Sequence, residues 1–68
     1  MDIREKVGKR VKELRNKVGI SQEELADMVE LDRTYITSVE RGRRNISIVN
    51  VEKLATALKV TLKDFFDF

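Results

Sequence analysis

Residues 22–40 read QEELADMVELDRTYITSVE, from Gln22 to Glu40, and the reading of this stretch decides the fold. Leu25, Ala26 and Val29 fall at i, i+1 and i+4, one apolar face of a short helix. Ile36 and Val39 stand three apart on the same face of a second short helix. Glu30, Leu31 and Asp32 link the two, too tightly for the helices to lie side by side. With both helices sharing one core, Arg33, Thr34 and Thr37 turn to solvent on the second. The spacing predicts a helix-turn-helix, whose second helix has the width of the DNA major groove.

Working outward, Ile3, Val7, Val11, Leu14 and Val18 recur at helical steps and predict a first helix over Asp2–Lys17. Gly8 stands inside it, where glycine costs roughly 1 kcal/mol relative to alanine. Close approach of another helix is the simplest reason for it. Gly19 is placed to close this helix in the left-handed conformation. Ser21 with Glu24 forms a capping box for the next helix, which ends near Val29. A turn this tight commonly needs glycine or asparagine at position 30; Glu30 there costs of order 1 kcal/mol. Asp32 is an acceptable N-cap for a third helix running to about Arg41, with Gly42 as its terminator. Arg43, Arg44, Asn45 and Ile46 read as a basic loop. Ser47 caps a fourth helix with Ile48, Val51, Leu54, Ala55 and Leu58 on one face, and the small Ala55 and Ala57 allow close packing. After a short link at Lys59 and Val60, Thr61 with Asp64 opens a last turn or two, Leu62 to Phe68. The expected fold is all-α, a compact five-helix bundle, with residues 1–68 forming one domain.

A chain of 68 residues buries a modest core and gains from tight helix packing or from a second subunit. It contains no cysteine and no histidine, which excludes disulfides and leaves a structural zinc site without its usual ligands; no metal site is expected. An enzyme fails on the same inventory, because there is no histidine-assisted nucleophile, phosphate loop or acid pair with a pocket. Neither a cofactor nor a small-molecule ligand is expected. Apolar runs of two or three residues span no membrane, and Met1 is followed at once by charged helix rather than a leader. The expected location is the cytoplasm.

The formal net charge is only +2, but it is unevenly spread. Glu23, Glu24, Asp27 and Glu30 make the first motif helix acidic, with no basic residue between them. Arg33, Arg41, Arg43 and Arg44 gather on the second motif helix and the loop after it, against Asp32 and Glu40. A phosphate-contacting surface belongs there.

Arg15 in V-K-E-L-R, then S-Q-E-E-L-A, Y-I-T-S-V-E-R-G and L-A-T-A-L-K-V, in this order and spacing, resemble the phage-repressor/Cro-type (XRE-like) helix-turn-helix family over roughly Val7 to Phe66. The resemblance implies a lambda-repressor-like DNA-binding domain. It also implies a buried ion pair between Arg15 and Glu40, a bidentate contact that would hold the third helix to the scaffold. The run L-D-R-T-Y-I-T-S-V-E-R followed by R-N-I-S-I is similar to the controller proteins of restriction–modification systems, small regulators that bind DNA as dimers to time expression of the endonuclease. A phage-type or chromosomal repressor, or an antitoxin-like regulator whose main partner is another protein, are the alternatives.

What the resemblance implies can be placed residue by residue. Gln22 matches the glutamine that packs on the sugar-phosphate backbone and orients recognition-helix side chains, and with Ser21 it opens a helix whose free amides favour a phosphate. Base readout falls to Arg33, suited to guanine O6 and N7 together, to Thr34 and Thr37, and to Asp32, which can accept from cytosine N4. Tyr35, Arg41, Arg43, Arg44, Asn45 and Ser47 are expected over the backbone, giving affinity and register. Phe65 or Leu62 can seal the small core, yet Leu62, Phe65, Phe66 and Phe68 together leave apolar surface at the end through which family members pair. A homodimer is therefore expected to read a partly palindromic operator in double-stranded DNA, its third helices about 34 Å apart. The acidic second helix points to RNA polymerase as a further partner. The function expected is sequence-specific regulation of transcription.

Overall fold

Val11, Leu25, Ile36, Leu54, Leu58 and Phe65 meet, without appreciable exposure, at the centre of the computed structural model, which describes residues 1–68. They are supplied by α1 (Ile3–Val18), α2 (Gln22–Val29), α3 (Arg33–Glu40), α4 (Ile48–Ala57) with the residue that caps it, and α5 (Leu62–Phe65). The fold is all-helical. The apolar spacing of the long helices accounts for the rest of the core: Val7 and Leu14 from α1, Ala26 and Val29 from α2, Val39 from α3, Val51 and Ala55 from α4. α1 packs on α3, α2 on both α3 and α4, and α4 on α5.

Gly8 marks the α1–α3 crossing. A Cβ added there would strike the Val39 carbonyl oxygen and come within 2.9 Å of the Glu40 carbonyl oxygen, so only glycine lets the two helices approach this closely. Gly42 is required twice over. Its φ is 74°, and a Cβ would lie 2.8 Å from Glu5 Cγ and 2.9 Å from Glu5 Cα, where the chain leaving α3 crosses the start of α1.

The helix starts follow their polar caps. Asp2 accepts from the Arg4 amide at 2.7 Å, and Ser21 and Glu24 close a reciprocal box at 3.0 and 2.9 Å. Ser47 and Thr61 each accept, at 3.1 Å, from the amide three residues on. Asp32 is the exception. It holds the extended N-cap conformation of α3, yet its carboxylate makes no capping bond.

The four longer helices end alike. Gly19, Glu30, Gly42 and Lys59 all adopt the left-handed conformation, at φ 84°, 57°, 74° and 63°. In each case the next amide reaches back five residues: Ile20 to Arg15 O at 3.2 Å, and Leu31 to Ala26 O, Arg43 to Ser38 O and Val60 to Ala55 O at 3.0 Å. This is the Schellman closure, which satisfies carbonyls that a helix end otherwise leaves open. Ile20, Leu31 and Val60 then pack on the core. The α2–α3 turn is thus the ordinary left-handed one, built with Glu30 in place of glycine.

Three expectations need correcting. Ile3 is 61% exposed and Ile48 75%, although both fit the apolar stripe of their helices. Each is the first residue of its helix and projects beyond the core that the following turns cover. Phe65, expected on a pairing surface, is wholly buried. A helix as short as α5 turns one side chain fully inward, and the large ring takes that place while Leu62 stays 37% exposed. Arg10, to which the sequence assigned no role, holds this end down. Its Nε donates to Phe65 O at 2.9 Å and its Nη2 to Asp64 O at 2.6 Å, while Nη1 pairs with Glu13.

Glu30→Gly is expected to stabilise the fold. Relief of the left-handed side chain, offset by a freer unfolded chain, leaves about 0.5 kcal/mol net and a Tm higher by roughly 2–4 °C. Thermal unfolding followed by circular dichroism measures this; a lower Tm would mean that the Glu30 side chain makes a favourable contact of its own.

Candidate nucleic-acid interface

Burial of Ile36 and Val39 turns the opposite side of α3 outward. Arg33, Thr34 and Arg41 are exposed there, and Thr37 and Ser38 are half-buried at its edges. Ser38 was not singled out from sequence. Its hydroxyl donates to Thr34 O at 2.9 Å, and its place one turn after Thr34 is the signal that could have found it.

The root of this helix is a chain of hydrogen bonds. Arg15 Nε donates to Glu40 Oε2 at 2.7 Å and Arg15 Nη2 to Glu40 Oε1 at 3.0 Å, with the two side chains 12% and 4% exposed. Arg15 Nη1 donates to Ile20 O at 2.9 Å, tying in the α1–α2 turn. Gln22 Nε2 donates to Glu40 Oε1 at 3.1 Å, and the Thr37 hydroxyl donates to Gln22 Oε1 at 3.0 Å. Arg15, Glu40, Gln22 and Thr37 therefore join α1, α2 and α3, and no buried side-chain polar atom in the fold lacks a partner. The hydrogen bond to Glu40, helped by its charge, outweighs desolvation and raises the Arg15 pKa above the ordinary arginine value. A raised pKa on a base adds stability that is complete below the ordinary value and lost only above the raised one, so the arginine half of the pair stays charged at every working pH.

A second cluster fixes the loop after α3. The Arg44 guanidinium lies over the Tyr35 ring, 5.1 Å from its centroid, a cation–π contact. The Tyr35 hydroxyl accepts from Asn50 Nδ2 at 3.1 Å, which leaves the phenolic proton free to donate. Asn50 is a further residue the sequence did not flag; it stands one turn into α4, where its own amide bonds the Ser47 hydroxyl. Arg41, Arg43, Arg44, Asn45 and Ser47 are exposed around this cluster. The ion pairs of the fold are Arg4–Asp2, Arg10–Glu13 and Arg15–Glu40, so Arg33, Arg41, Arg43 and Arg44 keep their charges unpaired.

Among the remaining candidates, Ser21 and Asp32 stand differently from expectation. Ser21 is exposed, but its amide and hydroxyl both face Glu24 in the capping box, and Glu23 and Glu24 make this helix start acidic. The Gln22 side chain is engaged inside the fold by Thr37 and Glu40. Asp32 is exposed beside Arg33, its carboxylate uncommitted to the cap. Leu62, Phe66 and Phe68 lie together at the opposite end of the chain, away from the motif in sequence and exposed at 37%, 44% and 55%. No helix is long and apolar enough to cross a membrane.

A helix held at its root by a nearly buried ion pair, with polar and basic residues outward and unpaired arginines beyond it, defines a helix-turn-helix module of the DNA-binding class. A family model described as helix-turn-helix matches residues 11–65. The control protein C.MunI of a Mycoplasma species is 46% identical over 66 residues, 96% of this chain and 89% of that protein. The crystal structure of the restriction–modification controller protein C.AhdI from Aeromonas hydrophila has a TM-score of 0.88 at 51% identity, covering 93% of this chain and 91% of that one. The controller protein C.Esp1396I, solved as a tetramer in complex with its natural 35 base-pair operator, has a TM-score of 0.90 at 37% identity, covering 98% and 88%. The chain belongs to the helix-turn-helix family, on its restriction–modification controller branch, whose members regulate transcription and are not enzymes.

Arg15→Ala leaves the Glu40 carboxylate nearly buried with Gln22 as its remaining partner. The expected loss is about 3–5 kcal/mol in urea unfolding, the range for breaking one side of a buried pair. A loss below about 1 kcal/mol would put this contact among solvated surface pairs.

Proposed function

We propose that this protein regulates a restriction–modification system by binding a partly palindromic operator in double-stranded DNA as a homodimer. The observation that carries the reading is the outward face of α3, where Arg33 is exposed and unpaired while the helix beneath it is fixed by the Arg15–Glu40 pair. In this reading Arg33 binds guanine O6 and N7, with Thr34, Thr37 and the uncapped Asp32 completing base readout. Arg41, Arg43, Arg44, Asn45, Ser47 and the phenolic proton of Tyr35 meet phosphates and set the register. Gln22 acts by orienting Thr37, and Ser21 contributes through its hydroxyl proton alone.

The dimer surface we assign consists of Leu62, Phe66 and Phe68, joined by Ile3 and Ile48. Phe66 lines one open apolar groove with Ile3, Ile46 and Ile48. Its ring centroid is 5.1 Å from that of the buried Phe65 and 6.1 Å from that of Phe68, so the exposed aromatics are anchored on the core. Contiguous apolar surface of this kind marks an association site. A protomer measures 27 × 22 × 21 Å, compatible with two copies side by side presenting their α3 helices about one DNA turn, 34 Å, apart. Glu23, Glu24, Asp27 and Glu30, with Met28, form an exposed acidic face on α2 that carries no expected base reader; we assign it to RNA polymerase. The site of action is the cytoplasm.

In vitro selection from random duplex DNA is expected to return a partly symmetric consensus. With three arginines per protomer on phosphates, six contacts per dimer give a slope of log affinity against log salt of about −5. Arg33→Ala should cost about 1–3 kcal/mol and relax one base position in each half-site, while Arg43→Ala weakens all sites alike. Binding without sequence preference would overturn the regulator reading, and a consensus untouched by Arg33→Ala would remove Arg33 from base readout.

Sedimentation at micromolar concentration tests the pairing. The wild type is expected as a dimer and Phe66→Ala as largely monomer. An unchanged mass for the variant places the interface elsewhere on the surface.

A further inference from the structure

The hydrogen-bond chain beneath α3 has a direction that cannot be reversed. A guanidinium carries only donors, so Glu40 accepts from Arg15 through both oxygens, at 2.7 and 3.0 Å. A carboxylate in this ion pair has no proton of its own and accepts from every other neighbour as well. The Gln22 amide must then turn its NH2 group to Glu40 Oε1, at 3.1 Å, which turns its oxygen to Thr37. An amide oxygen only accepts, so the Thr37 hydroxyl is the donor in their 3.0 Å contact. A flipped amide would set its carbonyl against the carboxylate. The single hydroxyl proton of Thr37 is thereby committed inside the fold, and lone pairs remain for anything outside it.

We propose that this relay makes Thr37 an acceptor-only reader, which selects a base that presents its exocyclic amine in the major groove, adenine or cytosine, on the strand it faces and rejects guanine or thymine there, with Gln22 as the positioning residue that sets the polarity. The proposal rests on the reading of α3 as the recognition helix. In the major groove adenine N6 and cytosine N4 offer donors, whereas guanine O6 and N7 and thymine O4 offer acceptors. A free threonine hydroxyl rotates to serve either kind. The engaged hydroxyl of Thr37 presents a lone pair to a lone pair at guanine or thymine. Thr34, one turn earlier, has no side-chain hydrogen bond inside the fold and keeps both polarities. Two threonines on one helix thus differ in what they can read, because one of them is wired to Glu40 through Gln22.

The experiment is equilibrium binding of the full chain to variants of its selected duplex. Selection with Thr37→Val first identifies the position Thr37 reads, as the one that relaxes. With the wild type, adenine or cytosine is expected there, and exchange for guanine or thymine should weaken binding about fivefold, the worth of one net hydrogen bond. Deleting the amine alone, with purine for adenine or pyrimidin-2-one for cytosine, should cost a similar factor. Gln22→Ala releases the hydroxyl to rotate and should bring the amine-to-keto ratio to within about twofold. A wild-type preference for guanine or thymine, indifference to the amine deletion, or an unchanged ratio in Gln22→Ala would each overturn the proposal. If Thr37→Val relaxes no position, the assignment of Thr37 to readout fails first, and that outcome is distinct from a wrong polarity. Once Thr37→Val has located the position, the base-analogue series needs only the wild type, so indifference to the amine overturns the proposal even if Gln22→Ala does not fold.

Discussion

An eight-residue helix has no stability of its own, and α3 buries only Ile36 and Val39, with Tyr35 packed at the edge of the core. So narrow an apolar face leaves a helix free to roll about its axis. The Glu40 carboxylate removes that freedom. At 4% exposure it must be neutralised, and the bidentate geometry of Arg15 does so in a single orientation. Gly8 lets α1 come close enough for the arginine to reach, because any side chain at that position would strike the Val39 and Glu40 carbonyls. The roll of α3, and with it the direction in which Arg33, Thr34 and Thr37 project, depends on this one pair and the glycine that admits it.

The charge pattern makes sense on the same frame. Acidic side chains near the outward face of α3 would weaken the field that draws a phosphate backbone; Glu40 is consumed by an internal partner and the acidic run lies on α2, which leaves Asp32 as the one exposed carboxylate beside Arg33. The arginines after α3 are left unpaired, and Arg44 gains order from the Tyr35 ring rather than from a carboxylate that would neutralise it. Ordering a cation on an aromatic face reduces the side-chain entropy lost on binding while leaving its charge available.

How much of this was legible in the sequence depends on whether the signal was local. The apolar steps Val7–Val11–Leu14 and Leu25–Ala26–Val29 and the caps at Ser21, Ser47 and Thr61 named the helices, because each signal lies within one turn of what it controls. The left-handed end at Glu30 was legible from the tightness of the turn and not from the residue, and the one at Lys59 was hidden, since glycine is the residue type that advertises such a conformation. They do share a subtler mark with Gly19: the next residue, Leu31, Val60 or Ile20, is apolar and returns to the core. Ile3 and Ile48 misled because periodicity says which way a side chain points but not whether anything lies there to cover it. Arg10 was invisible because it caps carbonyls at Asp64 and Phe65, at the far end of the chain. At the site, residue types and family motifs pointed to Arg33, Thr34 and Thr37, while the polarity of the bonds among Glu40, Gln22 and Thr37 exists only once three helices meet.

Arg10 and Arg15 also give α1 a role beyond core packing. Five positions apart, their Cα atoms are separated by about 7.5 Å along a rigid helix. One guanidinium grips the C-terminal carbonyls of α5, next to the exposed Phe66; the other grips the end of α3. A C2 dimer formed through Phe66 and its neighbours would transmit its geometry to the two α3 helices by two routes, through Arg10 and α1 with Gly8 at the crossing, and through α4 and α2, which pack on one another and on α5 and α3. The spacing between the two α3 helices would then be held by both routes, with two charge-assisted contacts at fixed positions on α1 stiffening one of them. Such a frame tolerates exchange of Arg33 or Thr34 for other side chains, because neither takes part in holding the frame together.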